Sequence, residues 1–235
     1  VELGRRAPLL GRLPATPRTV RLERPVVVGL GRLAARFGDR GRVVRLDATW
    51  DPAEGAPGLE RALARLAADA RRAAAGRAEL IVASDRAIGH APGLGRLPVP
   101  SVLAAGAIHT ALTGAGLRGR ADIAVEAADV LDIHGLAMVL AAGATVVCPW
   151  LALELAGEIA GGRGAETLSP EDAIGNLLDG FDAALRKVLA RMGISCLASY
   201  LGGQFFETLE LSPAVLERCF PVAPAWPGSV GFATL

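Results

Sequence analysis

From Arg42 onward, short apolar runs alternate with longer stretches in which apolar residues recur at three- and four-residue spacing. RVVRLDATW (42–50) predicts a strand that ends in a polar turn. Residues 58–75 predict a helix: Leu59, Ala62, Leu63, Leu66, Ala70 and Ala73 share one face, and Gly76 ends it. ELIVAS (79–84) is a continuous apolar run of the buried, parallel-strand type. Pro100-Ser101 opens a helix to about Gly114, ADIAVEA (121–127) predicts a strand, and a helix from Asp129 to Ala142 closes at Gly143. ATVVCPW (144–150) predicts the next strand, with 151–159 helical behind it. Residues 163–168 form a polar break. Ser169-Pro170-Glu171-Asp172 then starts a helix that runs to about Met192, with a hydroxyl cap, proline at the first helical position and acids in the first turn. ISCLASY (194–200) predicts a further strand, GGQFFETLEL (202–211) a helix, and Ser212-Pro213 the cap of one more short helix.

This alternation of strands with longer helices points to an α/β class: repeated βα units on a mostly parallel sheet. About five strands follow residue 40, short of the eight that close a barrel. The expected fold is therefore an incomplete or distorted TIM-barrel-like domain. Residues 1–40 are rich in Arg, Pro and Gly around one apolar run, Val26-Val27-Val28, and predict an irregular leading segment. The β/α domain then spans 41–235, with 221–235 as a Pro- and Gly-rich extended strip.

Composition narrows the classes. The chain has 235 residues, 51% hydrophobic and 21% charged, enough to bury roughly 70–75% of its unfolded surface and unlike a disordered segment. A net charge of +1 provides no electrostatic case for nucleic acid or an anionic membrane. Of 25 basic residues only Lys187 is lysine. With abundant Ala and Gly, this reads as a GC-rich bacterial coding bias. No apolar run has the length of a membrane span and no signal peptide opens the chain, which begins at Val1 without an initiator Met. That start hints at a fragment or an unusual start codon. The three cysteines, Cys148, Cys196 and Cys219, have no C-x-x-C spacing, so they read as small buried hydrophobes rather than zinc or cluster ligands. Free thiols fit a reducing cytosol, so a cytoplasmic location is expected.

Polar residues gather where strands end. Ser84-Asp85-Arg86 follow one strand, Glu126 ends another with Asp129, Asp132 and His134 beyond it, and Ser199, Tyr200 and Gln204 with Gly202 and Gly203 follow a third. In a parallel β/α fold these share one rim. They are either a site or the helix caps and ion pairs that every such fold needs, for example Arg86 with Glu126. Glu126, Asp132 and His134 form a possible acid/base set; equally, acids in a first helical turn serve the helix dipole. His109, mid-helix among Ala, Ile and Leu, reads as a core or interface histidine. His90 lies in a loop that reads as flexible. No phosphate loop, dinucleotide fingerprint or nucleophile elbow is present.

The stretch 187–207, KVLARMGISCLASYLGGQFFE, closely resembles a phrase in the central domain of the glutamate synthase large subunit. So do Ser84-Asp85-Arg86, Pro98 to Ala104, Gly106-Ala107-Ile108-His109, Gly116-Leu117-Arg118, Val125-Glu126 through Ile133-His134, and Pro149-Trp150-Leu151-Ala152 with Glu154. Gly228 to Gly231 echo the family more loosely. The likeness runs from about Arg42 to the tail. Departures fall on polar positions: Gly135 replaces a histidine, Cys148 an asparagine, Ala183 a lysine, and Ala198 and Leu201 a glutamine and an arginine. Backbone-setting residues survive while hydrogen-bonding ones are lost, the mark of a divergent member.

The resemblance implies a β/α domain related to flavin-binding barrels. It implies the linker of an enzyme that makes glutamate from glutamine-derived ammonia and 2-oxoglutarate. A cysteine-nucleophile amidotransferase domain and an FMN domain with an iron–sulfur cluster are then its partners, in the same or a companion chain. This segment would hold no cofactor and turn nothing over alone; its task would be to link those domains and help wall the ammonia path. Two other readings stay open. One is a stand-alone β/α enzyme using Asp85, Arg86, Glu126 and His134 at the rim. The other is a scaffold that binds a separately encoded subunit through an exposed apolar patch on the rim or tail.

Overall fold

The computed structural model describes residues 1–4, 19–38, 42–88, 95–160 and 168–235. In chain order its elements are β1 (Glu2–Leu3), β2 (Val20–Arg21), α1 (Leu30–Ala35), β3 (Val43–Asp47), β4 (Thr49–Trp50), α2 (Ala56–Ala75), β5 (Leu80–Ser84), β6 (Leu97–Pro98), α3 (Ser101–Gly114), β7 (Asp122–Glu126), α4 (Ile133–Ala142), β8 (Val146–Cys148), α5 (Trp150–Ala160), α6 (Pro170–Arg191), β9 (Thr208–Leu211), α7 (Pro213–Cys219) and β10 (Ala225–Val230). The main sheet is parallel throughout, in the order β3-β5-β7-β8. Sequential order with a helix after each strand is the arrangement of a barrel segment. Here the described strands form an open sheet.

Alternation along the strands separates two cores. Ile81, Ala83, Ile123, Val125 and Val147 face α2, α3 and α4. Leu80, Val82, Ala124, Val146 and Cys148 face the other way, against Leu3, Val20, Leu30, Leu33 and Phe37 from the leading segment and Trp150 and Leu153 from α5. The described part of 1–40 is thus built into the fold. Its paired β1 and β2 and its short helix α1 cover one face of the sheet. Val26 also bridges Val147 in parallel, so the Val26-Val27-Val28 run extends the sheet beyond β8.

The expected strand at 194–200 is absent. Ser195, Cys196, Ala198 and Ser199 are exposed, residues 197–199 form a single 3-10 turn, and only Tyr200 is buried. A strand needs a face to bury, and the leading segment has taken that edge. Residues 202–211 are not helical either: Gly202 to Glu207 are irregular, and Thr208–Leu211 form β9, paired in parallel with β10 from the tail. The tail is therefore extended, as its composition predicts. The strand read as 42–50 breaks at Ala48, after which β4 pairs antiparallel with β6. Helix α4 starts at Ile133, not at Asp129: Asp132 is its cap and accepts from Gly135 N at 2.8 Å.

Helix packing follows composition. α2 buries its Leu59, Leu63, Leu66 and Ala70 stripe. α3 and α4, apolar nearly all round, are sandwiched between other helices. α3 meets α7 so closely that a Cβ on Gly106 would sit 2.5 Å from Cys219 O. The loop with His90 and the break after Ala160 lie outside the described residues.

Candidate functional site

The carboxyl ends of β3, β5 and β7 bring three of the expected residues into one bonded group. Glu126, the last residue of β7, is buried, and its carboxylate is its centre. Ser84 Oγ donates to Glu126 Oε2 at 2.6 Å and Arg86 Nε to Oε1 at 3.1 Å. Arg45, which reading the sequence missed, pairs with the same carboxylate and donates to Ser84 Oγ at 2.9 Å. Strand register explains it: Arg45 lies two residues before the end of β3, paired with Val82, and so on the sheet face that also carries Ser84. Burial alone would push the Glu126 carboxyl up; the Ser84 hydrogen bond and the Arg45 and Arg86 charges outweigh it and hold the group below the usual range.

Arg86 continues the network outward. Its NH1 donates to Glu154 Oε1 at 3.0 Å, and its guanidinium lies 4.7 Å from the centre of the Trp150 ring. Beneath it, Asp85 accepts from Trp150 Nε1 at 2.6 Å and from Ala128 N at 2.7 Å. Burial raises the Asp85 carboxyl despite these bonds. A shallow cleft of about 440 Å³ opens over Arg45, Asp47, Ser84 and Arg86. The motif residues Trp150 and Glu154 carried the signal for this second layer.

The other expected residues lie elsewhere. His134 is exposed in the first turn of α4, and no hydrogen bond or ion pair joins it to Glu126 or Asp132, so the acid/base set does not assemble. Asp129 caps a different helix, accepting from Ser101 N at 2.9 Å. Ser199 is exposed, and Tyr200 and Gln204 sit at the opposite end of the sheet, against the carboxyl end of α4. Tyr200 OH donates to Ala137 O, while Gly202 N and Gln204 N donate to Leu140 O and Ala141 O. The Gln204 amide oxygen accepts from Val222 N and Ala223 N, tying down the tail. These residues cap and clamp. The expectation that they share the rim came from the strand that does not form.

The same far end holds a second polar group, at the amino ends of β7 and β8. Asp122 accepts from Thr145 Oγ1 at 3.0 Å and Gly4 N at 2.7 Å. Arg118 donates to Ala121 O, Gly143 O and, at 3.2 Å, His109 Nδ1. His109 is wedged between Gly143 and Gly202: a Cβ on either glycine would come within 2.4 Å of the imidazole side chain. Burial, then the Arg118 charge, lowers its pKa to about 4, so it is a neutral packing histidine. Cys148 and Cys219 are buried, with thiols pushed up to about 12 by desolvation. Cys196 is exposed, against expectation, because its segment is a turn. Among the described residues no three His, Cys, Asp or Glu side chains gather as metal ligands, and no helix is long and apolar enough to cross a membrane.

Three of the motifs quoted above, those holding His109, Arg118 and Gly202, thus converge on one packed joint, while three others, those holding Ser84, Glu126 and Trp150, build the rim. Residues 1–212 match the family model described as glutamate synthase central domain. The chain belongs to that family. The match begins at residue 1, so the family likeness includes the leading segment, and it stops short of the tail. The large chain of the NADPH glutamate synthase of Azospirillum brasilense is 34% identical over 222 residues, 94% of this chain and 14% of its own length. Ferredoxin-dependent glutamate synthase 2 of Synechocystis is 32% identical over 228 residues, 93% of this chain and 14% of its own. The NADH glutamate synthase of Schizosaccharomyces pombe is 33% identical over 180 residues, 76% of this chain and 8% of its own. This central domain therefore spans about one seventh or less of the relatives it matches.

Proposed function

We propose that this domain links an amidotransferase domain and an FMN- and cluster-bearing domain in a glutamate synthase, and helps wall the path by which ammonia passes between them. The assembled enzyme makes glutamate by reductive amination of 2-oxoglutarate. One observation carries the reading: the four rim residues on which a stand-alone activity would draw, apart from His134, are bonded to one another or to their own scaffold. Ser84, Arg45 and Arg86 saturate Glu126, while Trp150 and Ala128 saturate Asp85. A carboxylate that accepts from three donors and neutralises two guanidiniums stiffens a surface rather than moving protons. The Ala-, Gly- and Arg-rich composition and the two buried thiols favour a bacterial, cytosolic enzyme.

The test is to purify the product of the complete reading frame that contains this sequence and, separately, residues 1–235. The longer protein is expected to show flavin absorbance and to form glutamate from glutamine and 2-oxoglutarate; the 235-residue chain is expected to do neither. Turnover by residues 1–235 alone, lost on Glu126→Gln with folding intact, overturns the proposal in favour of a stand-alone rim enzyme.

A further inference from the structure

The β9–β10 ribbon is a two-stranded parallel sheet with no third strand on either side among the described residues. Parallel sheets are normally covered on both faces, and a two-stranded pair is marginal alone. This one instead presents large apolar side chains to solvent. Leu209 and Trp226, direct partners across the ribbon, are 65% and 67% exposed. Phe205 and Val222, just upstream of the two strands, are exposed as well. Open strand edges beside such a patch are a template for another strand. The charge nearby is sparse, Glu207 and Glu210, so the complementary surface is apolar and extended rather than basic.

The extent of the family likeness bears on what covers it. The match to the central-domain model ends at residue 212, at the close of β9, so β10 lies beyond the matched residues. The likeness to the Azospirillum chain takes in 94% of these residues, more than the model does, and leaves 86% of that relative outside the match. β10 therefore lies outside the matched central-domain residues, and most of that relative's length lies outside what it shares with this chain.

We propose that the ribbon is a docking edge, and that its occupant is an extended apolar segment from the remainder of a glutamate synthase large chain, which adds a strand and covers Leu209 and Trp226. This rests on the functional reading above. The test uses the product of the complete reading frame, with p-benzoylphenylalanine replacing Trp226 and, as a control, Leu131, which is also exposed. Photolysis is followed by mass spectrometry of crosslinked peptides, and glutamate formation is measured on the same preparation. The expected result is a crosslink from position 226, and not from 131, to one stretch outside residues 1–235. Adding Leu209→Glu should lower its yield about tenfold, as loss of a buried interface side chain does. A crosslink joining two copies of the ribbon, a crosslink confined to residues 1–235, or none from 226 overturns the docking. Glutamate formation without the crosslink overturns the docking alone; the crosslink without glutamate formation overturns the functional reading alone.

Discussion

Replacing Glu126 by alanine tests whether the rim is a structural hub. The side chain is 4% exposed and accepts from Ser84, Arg86 and Arg45. Removing one partner of a buried ion pair typically costs about 3–5 kcal/mol, because a charge is stranded. Here the stranded charges are two guanidiniums, 51% and 43% exposed, which can turn to water. A loss at or below the lower end of that range therefore applies, about 2–3 kcal/mol. For a chain of this size that lowers Tm by roughly 5–10 °C. Glu126→Gln keeps one acceptor, the amide oxygen, for Arg86, while its NH2 can only donate, to Ser84 Oγ; it should cost about 1–1.5 kcal/mol. Urea unfolding followed by far-UV circular dichroism provides both values, with m unchanged. The sign of the pH dependence is fixed by the lowered carboxyl pKa. Its contribution is complete above the unfolded value near 4.5 and is lost as pH falls through the folded value. Wild type and Glu126→Ala should therefore converge in acid. A loss below about 1 kcal/mol, or a gap that persists undiminished into acid, refutes the reasoning.

The His109 imidazole, with a folded pKa of about 4 against an ordinary 6.5, should make stability complete above pH 6.5 and reduce it by about 1.4 kcal/mol per pH unit as pH falls from there toward 4; urea midpoints between about pH 7 and 5 that do not move count against it. Gly193 and Gly202 share φ of +70°, but only a Cβ at Gly202 would strike His109. Gly193→Ala should thus cost about 1–2 kcal/mol and Gly202→Ala about 1–3 kcal/mol more, by thermal melts of the two variants side by side. In a thiol titration of the native chain, exposed Cys196 should react promptly, and Cys148 and Cys219 only on unfolding; three equally fast thiols would show that the core is open.

What the chain determines by itself is whatever depends on neighbours a few residues away. Helix α2 follows from its leucine–alanine stripe, α6 from the Ser169 cap, and the buried strands β5, β7 and β8 from short apolar runs, that of β7 bounded by Asp122 and Glu126. The Ser84-Asp85-Arg86 and Glu126 rim is legible too, because parallel βα units bring strand ends to one edge. Tertiary structure decided what depends on competition for a surface. ISCLASY has strand-forming composition, yet Val26 from the leading segment occupies the edge beside Val147, and the displaced residues became a clamp on α4. That loss carried Ser199, Tyr200 and Gln204 to the far end of the sheet. Arg45 entered the rim only through the register of β3 on β5, and His134 left it because α4 begins one turn later than its acids suggest. Local pattern specifies which face of an element must be buried; which partner buries it is settled by packing between residues distant in the sequence, from Arg45 with Ser84 to Val26 with Val147.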